Sequence, residues 1–247
     1  MKSSVAICAM VRNESGGIDE WINHYLVRGV SHFFIIDDDS DDGCYEILKK
    51  HESAGYLTLL TPKMPRVVGR QTRGYNEFIK PLIGDFDWVA ILDADEFLWD
   101  SGGFLLPDYF SDVSPEISMV NVPMIDFGDS GLISQPENIV SSFIRRAPDG
   151  KNFRNNQLKS ICRTSHLLSI EVHVSSVSGS SIIDRDRLKL NHYKLQSRER
   201  WDNVVVPRGG AEPLPWVRHS ERYFTWRRRA INAVADFGLI NQNKQML

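Results

Sequence analysis

The feature that most constrains this sequence is a short apolar run that ends abruptly in carboxylates. Residues 88–92 read WVAIL and are followed at once by Asp93, Asp95 and Glu96. Such a run is typical of a central strand in a parallel sheet that is covered on both faces. Ligands of open α/β sheets bind at the carboxyl ends of the strands, so the three acids are expected at a binding site. A solvated loop after the strand is the alternative.

The acids Asp93 and Asp95 also suggest what would bind there. Carboxylates this close repel one another unless a cation or protons neutralise them, and oxygen ligands suit a hard ion such as Mg²⁺ or Mn²⁺. In the pattern Asp-x-Asp, both acids can hold such an ion against a diphosphate, where it stabilises the charge of the departing group. The tripeptide is common by chance, so its position after a buried strand gives it weight.

Strands and helices alternate regularly in the first half of the chain. The predicted strands are 5–11, 32–36, 56–60 and 88–92; the predicted helices are 18–30, a helix capped by Ser40 or Asp41 that ends at Gly55, and 71–83. Gly29 is placed to end the first helix. This order predicts an α/β fold with parallel strands joined by right-handed crossovers.

The pattern changes after Trp99. Short strands are predicted at 117–123, 138–145, 157–162, 171–174 and 188–193, with a glycine-punctuated turn at 124–131. We expect these strands to be antiparallel additions to the sheet. From Ser197 onward the sequence predicts two helical pieces separated by a loop at 207–215. The expected organisation is one domain over residues 1–200 with a helical extension, residues 201–247, packed on it.

Composition narrows the class of protein. The net charge of −3 over 247 residues gives no reason to expect nucleic-acid binding. Three widely spaced cysteines fit neither a disulfide framework nor a zinc pattern, and they suit a reducing compartment. The apolar part of the start is too short for a secretory signal, and no run approaches the roughly 20 apolar residues of a membrane span. We therefore expect a cytosolic protein, with contact to a membrane surface left open.

Polar residues follow the first two predicted strands. Asn13 and Glu14 are placed to hydrogen-bond a base or ribose, with helix capping as the alternative. Asp37 or Asp38, at the tip of the second strand, is expected to accept hydrogen bonds from a ribose hydroxyl or from the imide NH of uracil. The acidic run is not a calcium loop, because Lys49 stands where the twelfth-position glutamate should be.

Basic residues of the late strands are further candidates. His192 could complete a metal shell, and His173 is a weaker candidate because lone histidines are more often structural. Lys194 could neutralise phosphate. Lys159 and Arg163 flank an apolar strand and could do the same, although solvent exposure would explain them equally well.

Six motifs follow one another over residues 4–200: VAICAMVRNE, FIIDDDSDDG, a helix with Gln71, Tyr75 and Asn76, WVAILDADEFL, a DFGDSG turn and LNHYKLQS. In this order they resemble a family 2-type glycosyltransferase of the GT-A fold, closest to the branch related to family 92. The resemblance implies a Rossmann-like mixed sheet with helices on both faces, a nucleotide-sugar donor, and Mn²⁺ or Mg²⁺ bound at the Asp-x-Asp acids.

The resemblance also implies roles for individual residues. Asn13 or Glu14 and Asp37 or Asp38 would contact the nucleoside; Arg70, Gln71 and Asn76 would line the sugar or diphosphate pocket; Asp93 and Asp95 would lie at the ribose and metal; and His192 would be a late metal or phosphate ligand.

The implied reaction is sugar transfer with inversion, in which a carboxylate removes the proton of an attacking hydroxyl. Asp129 and Asp126 are the base candidates, and Glu96 is a weaker one. The chain departs from the family pattern at Met124, where a tryptophan is usual, and at Asp129, where a small polar residue is usual. A UDP-sugar is the favoured donor and a GDP-sugar the second, with a glycan or lipid-linked glycan as acceptor.

Two other classes of protein stay open. A sugar-nucleotide nucleotidyltransferase would share the framework, but it should carry a glycine-rich basic loop where Arg12, Asn13 and Glu14 stand. A non-catalytic nucleotide- or sugar-binding module would not need the metal acids. A phosphatase built on Asp-x-Asp would need a threonine where Phe97 stands.

The C-terminal segment WVRHSERYFTWRRR combines arginines with aromatic residues. A basic, aromatic helix of this kind could lie on an anionic membrane. A solvated helix with its aromatic face packed on the domain is the more common arrangement, and it is the one we expect.

Overall fold

A mixed nine-stranded sheet forms the centre of the part of the chain that the computed structural model describes, residues 2–148, 157–209 and 220–246. The strands are β1 Val5–Val11, β2 His32–Asp37, β3 Leu57–Leu60, β4 Trp88–Ile91, β5 Glu96–Asp100, β6 Ile117–Asp126, β7 Arg145–Arg146, β8 Leu158–Arg163, β9 Leu167–Ser169, β10 Ser176–Val177, β11 Ser180–Ile183, β12 Leu188–His192 and β13 Val234–Ala235. The order in the main sheet is β3-β2-β1-β4-β8-β6-β12-β5, and β11 pairs with β6.

Helices cover both faces of this sheet. They are α1 Ile18–Leu26, α2 Cys44–Ser53, α3 Arg70–Gly74, α4 Leu106–Asp112, α5 Ile139–Ser142, α6 Arg198–Arg200, α7 Val206–Arg208, α8 Glu221–Ile231 and α9 Gly238–Met246, with π-helical turns at Tyr75–Ile79 and Trp201–Val205 and 3₁₀ turns at Lys80–Asp85 and Thr164–His166. Alternate residues of β1 enter two different apolar clusters: Ile7 packs with α1, and Cys8 packs with the helical turn at Tyr75–Ile79. The predicted mixed α/β sheet with helices on both faces is confirmed.

The first half of the sheet is parallel, as predicted. Strands β3, β2, β1 and β4 pair in parallel, and Val11 at the end of β1 lies opposite Asp37 at the end of β2. Gly29 and Gly55 follow the first two helices with φ of +82° and +93°, which glycine adopts at little cost. The polar loops that follow β1, β2 and β4 are therefore brought to one edge of the sheet.

The start of the second helix differs from the prediction. Helix α2 begins at Cys44, and its first amide donates to the Asp42 carboxylate over 2.9 Å. Ser40 and Asp41, the predicted caps, instead bind the loop after β1: Ser40 Oγ accepts from the Asn13 amide at 3.0 Å, and Asp41 Oδ1 accepts from Asn13 Nδ2 at 2.7 Å. Because Ser40 and Asp41 are engaged by the loop after β1, Asp42 accepts the local hydrogen bond at the start of α2.

The third predicted helix, 71–83, is present but changes its winding from α to π to 3₁₀. Gly74 lies against β1, where a Cβ atom would come within 2.7 Å of the Met10 side chain. The Tyr75 hydroxyl accepts a hydrogen bond from the Met10 amide over 3.1 Å. Close packing of the turn at Gly74 and Tyr75 onto β1 accompanies the irregular winding.

Beyond β4 the sheet is mixed. Strand β8 is antiparallel to both of its neighbours, β4 and β6, as expected for an added strand. Strand β12 is parallel to β6 and antiparallel to β5. The carboxyl ends of β1, β2, β4, β6 and β12 consequently share one edge with the amino ends of β8 and β5.

Several predictions for the second half were wrong. The sequence analysis did not identify β5 or α4, and it ended β6 at residue 123, whereas this strand continues to Asp126. Half of the predicted strand 138–145 is the short helix α5, at whose start the Glu20 carboxylate accepts the Ile139 and Val140 amides, and only Arg145 lies in a strand, β7. The predicted strand 171–174 is a bend that lies between β9 and β10.

The C-terminal segment contributes helices and a short strand, β13, which pairs with β7. In α8, Phe224 is buried against Trp201, with ring centroids 5.3 Å apart, whereas Trp226 is exposed. In α8, Phe224 thus packs on the domain and Trp226 does not, while Trp216 and Arg218 of the predicted amphipathic segment lie outside the described residues. Within the described ranges, each helix is too short or too polar to cross a bilayer.

Helix α1 is fastened to the backbone of β5. The Trp21 indole and the Tyr25 hydroxyl both donate to the Glu96 carbonyl over 2.8 Å, and the Leu98 amide donates to the Tyr25 hydroxyl over 2.7 Å. Both aromatic side chains are fully buried. Since Glu96 opens β5, these hydrogen bonds fix where the acidic loop enters the strand.

We expect Tyr25→Phe to destabilise the fold, because it removes the hydroxyl and leaves the buried Leu98 amide without that acceptor. The cost should be about 1–3 kcal/mol in the free energy of unfolding, measured by urea denaturation. Tyr45→Phe, on the exposed side of α2, is the matched control. Equal stability of the two variants would contradict the prediction.

Candidate active site

A cleft of about 380 Å³ opens at the shared edge of the sheet. Its wall includes five predicted site residues: Glu14, Asp38, Gln71, Asp93 and Asp95. His192 from β12 also faces it. The structure thus brings together acids that follow β1, β2 and β4 with the histidine predicted as a late ligand.

The first acid of the Asp-x-Asp pattern is neutralised by the protein itself. Lys159 Nζ lies 2.8 Å from Asp93 Oδ2 and 3.1 Å from Glu96 Oε2, and the lysine side chain is fully buried. Burial acts to lower the pKa of Lys159, but the two carboxylates outweigh it and the pKa is raised. For the Glu96 carboxyl, burial raises the pKa to about 7, although Lys159 opposes the change. Gln71 Nε2 donates to the other oxygen of Asp93 over 3.0 Å.

The second acid, Asp95, faces His192. Its carboxylate lies 3.5 Å from Nε2 of the ring, and Nδ1 donates to Asp126 Oδ1 over 2.8 Å. Arg227 of α8 donates to the other oxygen of Asp126 over 2.7 Å. Burial acts to lower the pKa of His192, but Asp95 and Asp126 outweigh it and raise the pKa to about 10. The pKa values of Asp95 and Asp126 are lowered: burial opposes the change, and the interactions with His192 overcome it.

The donor set fits a divalent ion at Asp95 and His192. Ligand atoms of Asp95, Glu96 and His192 lie within 4.8 Å of one another. A metal-bound histidine commonly donates its other ring N–H to a carboxylate, and Asp126 accepts from Nδ1 in this way. Asp93, predicted as a ligand beside Asp95, has both oxygens bound to Gln71 and Lys159. The geometry therefore favours Asp95 and His192 over Asp93.

The residues predicted to contact the nucleoside divide into two groups. Asp38 faces the cleft and pairs with Arg70, which is buried. Glu14 also faces the cleft. Asn13 binds the loop after β2, and Asp37 Oδ2 accepts from the Ser40 amide over 3.2 Å. The structure thus places Asp38 and Glu14 at the cleft, while Asn13 and Asp37 support the loops behind it.

Asn76, predicted in the sugar or diphosphate pocket, is engaged elsewhere. Its side chain donates to the carbonyls of Thr72 and Ile170 and accepts from the Ile170 amide, over 2.7–2.9 Å. These bonds fix the helical turn at Tyr75–Ile79 to the segment after β9.

The two predicted bases both pair with arginines of α8. Asp126 pairs with Arg227, as described above. Asp129 is buried and lies 2.8 Å from Arg228 Nε, and it also accepts from Asn232 and from the Gly131 amide. Neither Asp126 nor Asp129 lines the cleft, whereas Arg227 does.

Sequence reasoning missed a clasp across the cleft, formed by Glu14, Arg200 and Arg208. Both arginines pair with the Glu14 carboxylate, and Arg208 also donates to the Arg12 carbonyl over 2.9 Å. The clasp ties the loop after β1 to the helical segment 198–208. The only signal in the sequence was the basic character of that segment, because the contact joins residues almost 200 positions apart.

Comparison with known proteins identifies the family. The family model for glycosyltransferase family 92 matches residues 3–213. The chain belongs to glycosyltransferase family 92. This membership confirms the predicted resemblance to the branch related to family 92.

Curated relatives of the family 92 chain include plant proteins. The family 92 protein Os08g0121900 of Oryza sativa subsp. japonica is 27% identical over 219 residues, covering 86% of this chain and 37% of the relative. The Arabidopsis thaliana protein At1g27200 is 28% identical over 224 residues, covering 82% of this chain and 36% of the relative. The chain thus spans little more than a third of the length of these relatives.

Among solved structures, two of Staphylococcus aureus TarS residues 1–349 are similar to the family 92 chain. The complex with UDP is 12% identical, covers 76% of this chain and 60% of TarS, and has a TM-score of 0.47. The second structure is 13% identical, covers 90% and 70%, and has the same TM-score of 0.47.

The clasp generates a prediction about local opening. Glu14→Gln removes the charge that Arg200 and Arg208 share, so the segment 198–208 should open more often. Faster amide hydrogen exchange in that segment, with unchanged exchange in β1, is expected. Glu137→Gln, at an exposed acid, is the control. Identical exchange in Glu14→Gln and the control would show that the clasp does not hold the segment.

Proposed function

We propose that the family 92 chain transfers a sugar from a nucleotide-diphosphate donor to a hydroxyl of a glycan or lipid-linked glycan, with a bound Mn²⁺ or Mg²⁺ ion. The observation that carries this proposal is the pairing of Asp95 with His192, oriented by Asp126, at the carboxyl edge of the sheet. A UDP-sugar is the favoured donor, and a GDP-sugar is the second candidate.

Asp95 and the Nε2 atom of His192 would hold the ion. When bound, it would neutralise the diphosphate and stabilise the negative charge of the departing nucleotide. Asp126 keeps the ring of His192 oriented by accepting from Nδ1, and Arg227 in turn fixes Asp126. This arrangement gives the C-terminal helix α8 a supporting role in the donor site.

Cations of the cleft suit the diphosphate. Lys194, two residues after β12, is exposed. Burial acts to raise the pKa of Asp95, but His192 outweighs it, and Lys194 and Arg208 lie close enough to help lower this pKa. Asp38 and Glu14 also face the cleft, after β2 and β1, and Glu14 pairs with Arg208. We place the diphosphate beside Lys194 and Arg208, and the nucleoside beside Asp38 and Glu14.

The attacking hydroxyl must lose its proton to a base, and we propose that the sugar is transferred with inversion. For Asp129 to serve as the base, Arg228 must release it, since the two are paired at 2.8 Å. For Asp126 to serve, it must give up its bonds to His192 and Arg227. The donor geometry therefore supports a positioning role for Asp126 and leaves Asp129 as the base to be tested.

We place this reaction in the cytosol, at a membrane surface where the acceptor is lipid-linked. The three cysteines, Cys8, Cys44 and Cys162, are buried and free, which supports a reducing compartment. Exposed Trp226, Arg222 and Arg229 on α8 would form the membrane-facing side.

Calorimetric titration of UDP, GDP and their sugar conjugates tests the donor site. We expect binding to the wild type with Mn²⁺ or Mg²⁺, and at least about tenfold weaker binding in chelator or in Asp95→Asn and His192→Gln, because the ion bridges protein and diphosphate. Asp186→Asn, at an exposed acid, is the control. Binding that is indifferent to chelator and to both variants would instead identify a metal-independent nucleotide-binding module.

The role of Asp126 has a separate test. If it orients His192, Asp126→Asn should weaken Mn²⁺ binding by about 10–100-fold, the usual effect of losing the partner of a metal-binding histidine. Metal titration followed by calorimetry or electron paramagnetic resonance measures this. Unchanged Mn²⁺ affinity together with a loss of kcat in the transfer assay would show that Asp126 acts as the base instead. Asp129→Asn should leave Mn²⁺ affinity unchanged.

A further inference from the structure

Lys159 is a buried cation inside the acidic cluster, at the amino end of β8. Because β8 runs antiparallel to β4, this end lies at the carboxyl edge where Asp93 follows β4. The side chain shares its face of β8 with Ile161, which belongs to the main apolar cluster. A lysine ammonium in such surroundings is costly unless carboxylates compensate it, and Asp93 and Glu96 do so.

Lys159 contacts one oxygen of each of the two carboxylates, Asp93 and Glu96. One oxygen of Asp93 binds Lys159 and the other accepts from Gln71. Glu96 Oε2 contacts Lys159 and also accepts from the Asp93 amide over 2.9 Å. Oxygens from two carboxylates thus converge on Nζ at 2.8 and 3.1 Å, an arrangement in which a hard divalent ion could replace the ammonium after a small contraction.

We infer that Lys159 is a fixed internal cation that takes the place of a metal ion between Asp93 and Glu96, and so confines the divalent ion to Asp95 and His192. That the divalent ion binds at Asp95 and His192 rests on the proposed function. That Lys159 occupies the place of an ion between Asp93 and Glu96 rests on the geometry alone. Asp93 then keeps its position in the cleft without a metal ion.

The test is the number of Mn²⁺ ions bound per chain, measured by equilibrium dialysis and by electron paramagnetic resonance without nucleotide. We expect Lys159→Ala to bind one ion more than the wild type, because the ammonium is gone and the carboxylates remain. Lys159→Arg, which keeps the charge, should gain none. Lys159→Ala/Glu96→Gln should lose the additional ion, since one of its two carboxylates is neutralised.

A change in stability provides the second readout. Mn²⁺ should raise the melting temperature of Lys159→Ala more than that of the wild type, because the new ion binds only the folded chain. If Lys159→Ala is unfolded in chelator, recovery of the native circular dichroism spectrum in Mn²⁺ supports the inference, and failure to recover overturns it. A folded Lys159→Ala that binds no additional ion also overturns it.

The two proposals fail in different ways. Wild type that binds neither Mn²⁺ nor nucleotide would refute the proposed function, while a gain of one ion in Lys159→Ala would still support the inference about Lys159. Wild type that binds one ion lost in His192→Gln, combined with no gain in Lys159→Ala, would support the proposed function and refute the inference.

Discussion

The acids at the ends of β4 and β6 depend on cations that other parts of the chain bring to them. Lys159 comes from β8, His192 from β12 and Arg227 from α8, and each is buried with a carboxylate partner. Buried carboxylates without such partners would either take up protons or destabilise the fold. Pairing of charge across the sheet edge is thus the condition under which this acidic loop can be buried at all.

This condition accounts for the order of strands beyond β4. An all-parallel sheet would place only the carboxyl ends of its strands, and the loops that follow them, at the site. Antiparallel β8 instead presents its amino end there, and β12 returns parallel to β6 so that His192 meets Asp126. The C-terminal segment, predicted as an extension packed on the domain, supplies Arg227 to the same network.

Sequence patterns predicted the parts of the site that depend on local order. The buried strand β4 with its acids, and the polar ends of β1 and β2, follow from runs of a few residues. Strand β5 was missed because Glu96 follows the acidic loop directly, and only pairing with β12 and α1 shows that it is strand. The burial of Lys159 was missed for a related reason. A lysine beside an apolar strand is expected to be exposed unless its distant carboxylate partners are known.

Glu96 belongs both to the apolar core and to the charged cluster. Its carbonyl is held by Trp21 and Tyr25 in the apolar core, while its carboxylate belongs to the charged cluster with Lys159. The acidic loop therefore cannot loosen independently of the core, and the site persists or disappears with cooperative folding as a whole. Substitutions of Trp21 or Tyr25, on the buried face of α1, therefore disturb the acidic loop as well as the apolar core.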